Sequence, residues 1–335
     1  MSGKGNIAIF VPHQGCPNQC SFCNQKTITA TSVQPTPEFV KAECEKAIEI
    51  NKGKDVKCEI AFFGGSFTAI DEEYMISLLE AASYFLKYEI FSGIRISTRP
   101  DAIDEKILEL LKFYGVTAIE LGAQSLNDEV LSLNKRGHTA LDVENASRLI
   151  KKFGFSLGLQ MMTGLFGDSD EKAIDTARKI IEISPETVRI YPTVVLKDTL
   201  LDELRIKGIF KPKTVEESVP LCAKLIEMFE AAEIKVIRVG LHSEMSVEKN
   251  MTGGAYHQSF RELCESEIFL KNVKKKLEEE KIPKGKIVIY VNPKSISKMT
   301  GQRKSNIFKL NEIGYDAKIS PNIDLNNFDT FITRG

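Results

Sequence analysis

The sequence predicts a parallel α/β protein, and two observations point to this class. The first is a regular alternation of short apolar runs with longer amphipathic runs, which is typical of βα units. The second is that polar motifs recur where the apolar runs end, and the carboxyl ends of parallel strands meet at one edge of a sheet. Right-handed crossovers join such units into either an open doubly wound sheet or a barrel.

The apolar runs predict seven strands. Each is short and rich in Val, Ile, Leu or Phe, as in strands that are covered on both faces. The predicted strands are 7–11, 58–63, 94–98, 118–121, 156–162, 187–194 and 235–239. Helices are predicted over 36–51, from about 71, and over 104–114, 127–133, 141–153, 170–183 and 215–232. The first helix starts at Thr36-Pro37, and proline is favoured in the first helical turn.

From about residue 253 the pattern changes. A charged helix over 259–280 is followed by a break, a strand over 286–291 and a helix over 306–313. This order predicts a small C-terminal α/β appendage of βαβ type. We therefore expect two parts, a catalytic βα domain over 5–252 and an appendage over 253–335 that completes or covers it.

The composition limits the class of protein, its binding partners and its cellular location. The chain has 335 residues, of which 42% are hydrophobic and 27% charged, with a formal net charge of −1. This is an ordinary globular composition, and its charge gives no general attraction to nucleic acid or membranes. No apolar run reaches the ~18 residues of a membrane span, and the N-terminus lacks the apolar region of a signal peptide. We expect a cytoplasmic protein with no membrane contact.

Three of the seven cysteines lie within eight residues. Cys16, Cys20 and Cys23 have the spacing C-x3-C-x2-C, which lets three thiolates face one inorganic centre. Two chemistries fit this spacing. One is a structural zinc ion with His13 as the fourth ligand. The other is a [4Fe–4S] cluster with three thiolates and one open iron. The spacing alone does not separate them.

The triad with Phe22 before its last cysteine resembles the radical S-adenosylmethionine (SAM) superfamily. The resemblance implies a parallel partial barrel of six strands, a [4Fe–4S] cluster bound by Cys16, Cys20 and Cys23, and SAM bound through its amino and carboxylate groups at the open iron. In the family, an electron from the cluster cleaves SAM to a 5′-deoxyadenosyl radical, which abstracts a substrate hydrogen. An external one-electron donor such as flavodoxin or ferredoxin is implied as a partner.

Further motifs resemble the subfamily that includes the Elongator catalytic subunit and oxygen-independent coproporphyrinogen oxidases. They are Phe62-Phe63-Gly64-Gly65-Ser66-Phe67, Ser97-Thr98-Arg99-Pro100-Asp101, Glu120-Leu121-Gly122-Ala123-Gln124-Ser125 and Lys135-Arg136-Gly137-His138-Thr139. By this resemblance the glycine pair holds the methionine amino group, Gln124 and Gln160 meet the ribose, and Arg136 approaches the carboxylate. The implied SAM-binding residues are Phe22, Gly64, Gly65, Ser66, Thr98, Glu120, Gln124, Arg136 and Gln160.

The candidate substrate residues are polar side chains late in the barrel region. His242, Glu244, Tyr256 and His257 could each hydrogen-bond a heterocycle or transfer a proton. Structural roles in a loop are an equally open reading of all four. The appendage is locally basic at Lys294, Lys298, Arg303 and Lys304, which predicts either a solvated face or an RNA contact.

The substrate is the least determined part of the function. The resemblance does not carry over Elongator's acetyl-coenzyme A chemistry, because its wider first cysteine gap and acetyltransferase domain have no counterpart in this sequence. Absence of a dense basic surface favours a small molecule. The chain resembles the queuine lyases, which implies a lyase that frees a 7-deazaguanine base by carbon–nitrogen cleavage. The alternatives are a tRNA-modifying enzyme of the same superfamily and, more remotely, a zinc-stapled RNA-binding protein.

Overall fold

The computed structural model describes residues 3–12, 16, 19–24, 33–241, 245–326 and 328–335. Within them, seven parallel strands form one sheet, and its two edge strands each pair with a single neighbour. The sheet is therefore an open, partial barrel, as predicted. It has seven strands where the family resemblance implied six, and this agrees with the number of apolar runs in the sequence. In sheet order the strands are β1 (Gly3–Val11), β2 (Val56–Gly64), β3 (Phe91–Thr98), β4 (Val116–Gln124), β5 (Ser156–Thr163), β6 (Thr187–Pro192) and β8 (Lys235–Val239).

Helices connect consecutive strands and cover the outer face of the sheet. They are α1 (Pro37–Ile50), α2 (Glu72–Ser83), α3 (Glu105–Phe113), α4 (Asp128–Leu133), α5 (Ala140–Lys152), α6 (Asp170–Ile183), α7 (Leu200–Ile206) and α8 (Val215–Ala231). Their starts are fixed by side-chain caps. Thr36 accepts a hydrogen bond from the Phe39 amide, and Thr139 and Thr214 each form a reciprocal capping box.

Two differences from the predicted elements lie after β6. The strand predicted over 187–194 ends at Pro192, because proline has no N–H to continue the ladder. A separate strand, β7 (Val194–Leu196), then pairs antiparallel with β9 (Met251–Gly254). Helices α7 and α9 (Met245–Asn250) were not predicted.

The C-terminal part is a three-stranded sheet packed on helices. Strand β10 (Gly285–Val291) lies between β11 (Tyr315–Pro321), which is parallel to it, and β12 (Phe331–Arg334), which is antiparallel. The parallel pair is connected through α11 (Ile296–Thr300) and α12 (Ser305–Glu312), which is the βαβ order expected of the appendage. Strands β11 and β12 were not predicted.

Helix α10 (Phe260–Glu279) belongs to both parts of the chain. Its first half places Phe260, Cys264 and Ile268 in the core of the barrel. Its second half places Phe269 and Val273 in the core of the C-terminal sheet. The predicted boundary at residue 253 stays a prediction, because one continuous helix joins the two cores. No helix in the described ranges is both long and apolar enough to cross a membrane.

Candidate active site at the carboxyl ends of the strands

The cysteine loop follows β1 and is fastened to the loop after α4. The Ser21 amide donates to the Asn134 carbonyl at 3.1 Å, and the Ser21 hydroxyl donates to the Asn134 side chain at 2.6 Å. A turn closes the loop where the Cys23 amide donates to the Cys20 carbonyl at 3.1 Å. These bonds hold the second and third cysteines near the ends of β1 and β4.

The three cysteines of the triad differ in exposure. Cys20 is buried, Cys23 is half-buried and Cys16 is exposed, and none of the seven cysteines forms a disulfide. Among the described residues, no three His, Cys, Asp or Glu side chains are grouped closely enough to hold a metal ion. Ligation by Cys16, Cys20 and Cys23 therefore stays a prediction. The alternative zinc ligand, His13, lies outside the described residues.

Arg136 links the triad to the end of β4. One terminal nitrogen, Nη1, donates to Cys20 Sγ at 3.2 Å, and the other, Nη2, donates to the Gly122 carbonyl at 2.6 Å. The guanidinium is buried, and its Nε has no hydrogen-bond partner. The Nε–H therefore remains available to a ligand carboxylate, as does the second N–H of each terminal nitrogen, and the predicted contact of Arg136 with SAM stays a prediction.

Gln124 ends β4 in a conformation that turns its side chain into the barrel. Its φ is +64°, in the left-handed region, and the pairing of β4 with β5 is irregular between Leu121 and Gln124. The Gln124 side chain is buried, lines the central cavity, and has an Oε1 without a partner. A buried unpaired acceptor costs about 1–3 kcal/mol unless a ligand donates to it. A ribose hydroxyl would satisfy Gln124 Oε1, and a carboxylate would satisfy Arg136 Nε, so the two residues fit SAM.

The glycine pair closes the end of β2 against β1. Gly64 has a φ of +121°, and a Cβ built on it would lie 2.6 Å from the Val11 carbonyl oxygen. The Gly65 amide donates to the same carbonyl at 3.0 Å. Only glycine fits this close approach of two strand ends. Gly64 lines the cavity, which agrees with the predicted contact to a ligand.

Ser66 and Thr98 form a buried hydroxyl pair behind this edge. Their hydroxyls lie 2.8 Å apart, and the Arg99 amide donates to Ser66 Oγ at 3.1 Å. Thr98 Oγ1 also lies 2.6 Å from the hydroxyl of Thr68. These bonds tie the ends of β2 and β3 together. Direct contact of either residue with SAM stays a prediction, since the described wall of the cavity does not include them.

A cavity of about 1090 Å³ fills the inside of the partial barrel. Phe22 and Cys23 lie on its wall at the end where the strands finish, together with Gly64 and Gln124. Gln160 lines the wall further in, and its amide donates to Glu120 Oε2 at 3.0 Å and to Ser97 Oγ at 3.3 Å. This volume lies at the upper end of the roughly 300–1,000 Å³ of small-ligand sites, which is consistent with a cofactor and a substrate together.

Glu120 is enclosed by positive charge. Its side chain is only 1% exposed, and it accepts from Arg189 at 2.6 and 2.8 Å and from Arg95 at 3.2 Å. Arg95 also holds Glu59 at 2.8 and 3.1 Å. The carboxylate of Glu120 is thus engaged by protein donors, and its predicted role in binding SAM stays a prediction. The network of Glu59, Arg95, Glu120 and Arg189 was missed in the sequence, although the alternation of β3 and β6 turns both arginines inward.

The candidate substrate residues are placed away from the cavity where they are described. The Tyr256 hydroxyl donates to Glu248 at 3.1 Å, and the His257 Nδ1 accepts from the Ser259 amide at 3.0 Å. Neither is among the described residues that line the cavity. A role of Tyr256 and His257 in binding the substrate stays a prediction, and their positions outside the cavity wall do not support it. His242 and Glu244 lie outside the described residues.

Comparisons with known proteins agree with this site. The model of the "Radical SAM superfamily" matches residues 10–180, which is just over half of the chain, and that of the "Radical_SAM C-terminal domain" matches residues 185–269. The tRNA uridine(34) acetyltransferase of Methanocaldococcus infernus is 37% identical over 259 residues, covering 65% of this chain and 48% of the relative. That of Dehalococcoides mccartyi is 27% identical over 247 residues, covering 63% and 53%. The chain spans about half the length of these curated relatives.

A solved structure shows the same fold. The Elp3 protein of Methanocaldococcus infernus, with an N-terminal deletion, superposes with a TM-score of 0.62 at 23% identity. The superposition covers 84% of this chain and 64% of the other. It confirms the parallel partial barrel with helices on its outer face.

Proposed function

We propose that this protein, which belongs to the radical SAM superfamily, modifies a nucleobase of tRNA. Its superfamily cofactors are a [4Fe–4S] cluster and SAM, and family membership replaces the zinc-stapled alternative. When bound, these cofactors supply a carbon radical that abstracts a hydrogen atom from the substrate. The radical SAM enzymes take the electron for this reaction from an external donor, and a flavodoxin or ferredoxin is the donor we propose here.

The observation that carries the choice of substrate is the likeness to enzymes that act on tRNA uridine. The relative from Methanocaldococcus infernus is 37% identical over 259 residues, and it is a tRNA uridine(34) acetyltransferase. The cavity supports the choice, because about 1090 Å³ accommodates a nucleotide beside the cofactor. The proposal concerns the radical step of the barrel and does not include acetyl transfer.

The residues of this chain have distinct tasks in the proposed reaction. Arg136 Nε and Gln124 Oε1, which are both buried and unpaired, would hold the cofactor. Phe22 covers the cysteine end of the cavity. The ion pairs of Arg95 and Arg189 with Glu120 satisfy this carboxylate, so it would hold the inner wall of the cavity in place beside the cofactor.

A second candidate is a queuine lyase, which would break a carbon–nitrogen bond and release a 7-deazaguanine base. The observation that favours it is Glu59, which lines the cavity and keeps 24% of its side chain exposed. A carboxylate in such a position can accept from the amino and ring N–H groups of a guanine-like base. The net charge of −1 also suits an uncharged or cationic small molecule better than a long RNA contact.

Anaerobic turnover separates the two candidates. The reconstituted protein is incubated with SAM, a reductant and either tRNA or free queuine, and the products are read by mass spectrometry. We expect tRNA to stimulate formation of 5′-deoxyadenosine and to yield a nucleoside of changed mass. Stimulation by queuine alone, with release of a deazaguanine base, would support the lyase and contradict the tRNA proposal.

The cysteine variants control this assay. Cys20→Ala removes one predicted cluster ligand and should abolish cleavage of SAM. Cys44→Ala removes a buried thiol of α1 and should leave the cleavage intact. If the Cys20 variant still produces 5′-deoxyadenosine, the assigned cluster role is wrong.

A further inference from the structure

The charges inside the barrel do not cancel among the described residues. Two carboxylates, Glu59 and Glu120, are shared by two guanidiniums, Arg95 and Arg189, through bonds of 2.6 to 3.2 Å. These four groups neutralise one another. A third guanidinium, Arg238, lies on the wall of the same cavity. Arg238 is the guanidinium for which this network holds no carboxylate; the cavity wall also carries Lys57, Lys235 and Glu186.

Arg238 is placed next to Arg189 by the sheet itself. The two are register partners on the parallel strands β8 and β6, with an irregularity beside them that turns Arg238 toward the cavity. Like charges directly across a strand pair destabilise a sheet. Arg238 Nε donates to the Gly240 carbonyl at 3.2 Å, and no carboxylate of the described residues is ion-paired with it. Burial lowers the pKa of Arg238, and the neighbouring Arg189 adds to this effect.

Tyr191 adds a neutral donor to the same corner. It lies two residues after Arg189 on β6, on the same face of the strand, and lines the cavity. A guanidinium and a phenol hydroxyl that converge on one part of a cavity form an anion site. The site differs from the predicted carboxylate contact of SAM, because Arg136 follows α4 and bonds Cys20 and Gly122, whereas Arg238 and Tyr191 lie on β8 and β6.

We propose that Arg238 and Tyr191 bind a phosphate group of the substrate inside the barrel. This rests on the proposed function, since a nucleotide of tRNA carries a phosphate and free queuine carries no anionic group. Arg238 is the charge that draws the phosphodiester of the target nucleotide into the cavity, and Tyr191 donates to the same phosphate. A free nucleotide would satisfy the same two donors.

Binding of uridine 5′-monophosphate and of uridine tests the site without turnover. Titration calorimetry uses the full chain, reconstituted and saturated with SAM. We expect the monophosphate to bind the native protein at least tenfold more tightly than uridine. Arg238→Gln should abolish this preference, Arg238→Lys should keep part of it, and Tyr191→Phe should reduce it. Lys224→Gln, which removes an exposed charge of α8 that does not line the cavity, should keep it.

Further measurements identify the source of the phosphate and show which of the two proposals fails. If an anticodon stem-loop binds more tightly than the monophosphate, the site is assigned to RNA. If the monophosphate binds more tightly than the stem-loop, the site is assigned to a free nucleotide.

The proposal is overturned if Arg238→Gln prefers the monophosphate over uridine as strongly as the native protein does. It is also overturned if Arg238→Gln loses as much affinity for SAM as it loses for the monophosphate. If tRNA is modified while the preference is missing, only this inference fails. If the preference for the monophosphate depends on Arg238 but tRNA is not modified in the turnover assay, only the proposed function fails.

Discussion

At the scale of single residues, the site depends on polar atoms that the protein positions but does not pair. Gln124 Oε1 and Arg136 Nε are buried and unpaired, whereas Glu120 and Ser66 are fully engaged by protein groups. The sequence motifs named all four residues without distinguishing these states. The difference arises from neighbours such as Arg189, which is remote in the sequence, so no local pattern could have shown it.

The bond from Arg136 to Cys20 predicts an effect on the cluster as well as on SAM. Hydrogen bonds and positive charge at a cluster sulfur favour the reduced, more negative state. We expect Arg136→Gln to lower the reduction potential by about 59 mV or more, which is a tenfold change for a one-electron couple. The potential is measured by reductive titration followed by electron paramagnetic resonance, without SAM.

Two variants control this measurement. Arg136→Lys keeps the charge and should recover part of the potential. Lys135→Gln removes the neighbouring charge, which is exposed, and should leave the potential close to that of the native protein. An unchanged potential in Arg136→Gln would mean that the bond at 3.2 Å does not act on the cluster.

At the scale of elements, strand ends carry the site and the connections between strands position it. Residue patterns predicted the existence of all seven barrel strands, because each has a short apolar run. They did not predict the antiparallel pair of β7 and β9 or the short helices α7 and α9. These elements are three to seven residues long, and tertiary contacts rather than local periodicity stabilise them.

The contact of the ends of β1 and β2 predicts a strong effect at Gly64. A Cβ there would lie 2.6 Å from the Val11 carbonyl oxygen at a φ of +121°. We expect Gly64→Ala to destabilise the protein by more than about 2 kcal/mol and to reduce the iron content after reconstitution, because the clash displaces the strand end before the cysteine loop. Urea unfolding and iron analysis measure the two effects.

Gly53→Ala is the matched control. Gly53 also has a positive φ, of +75°, but an added Cβ meets no atom within 4 Å. It should cost only the backbone strain of about 1 kcal/mol and leave the iron content unchanged. Equal losses in the two variants would show that backbone strain, and not the contact with Val11, determines the effect.

At the scale of the whole molecule, two buried groups give stability opposite dependences on pH. Burial, aided by the nearby charge of Arg136, lowers the pKa of His138 to about 4. Burial raises the pKa of Asp168 to about 6. Below pH 6.5 the unfolded chain protonates His138 more readily than the folded chain, so this histidine makes stability fall as the pH falls toward 4. Asp168 is protonated first in the folded chain, so it makes stability rise between pH 6 and 4.

Removing each group should therefore change the pH profile in a different direction. Between pH 7 and 5 we expect His138→Gln to gain about 2 kcal/mol of unfolding free energy relative to the native protein. Over the same range Asp168→Asn should lose about 1 kcal/mol relative to it. Urea unfolding at equal iron content measures both differences. If the unfolding free energy of all three proteins changes with pH in the same way, neither His138 nor Asp168 has the shifted pKa expected from its burial.

The sequence by itself determined the seven parallel βα units, the cysteine triad, the glycine pair and the positions of Gln124 and Arg136 along the chain. These are local features, since each depends on spacing within a few residues or on the two faces of one strand. Only the tertiary structure decided which polar atoms remain unpaired, that Glu120 is neutralised by two arginines, and that Arg238 faces the same cavity. The physical reason is that the charge balance inside a barrel is set by side chains from strands far apart in the chain, which meet only when the sheet curls.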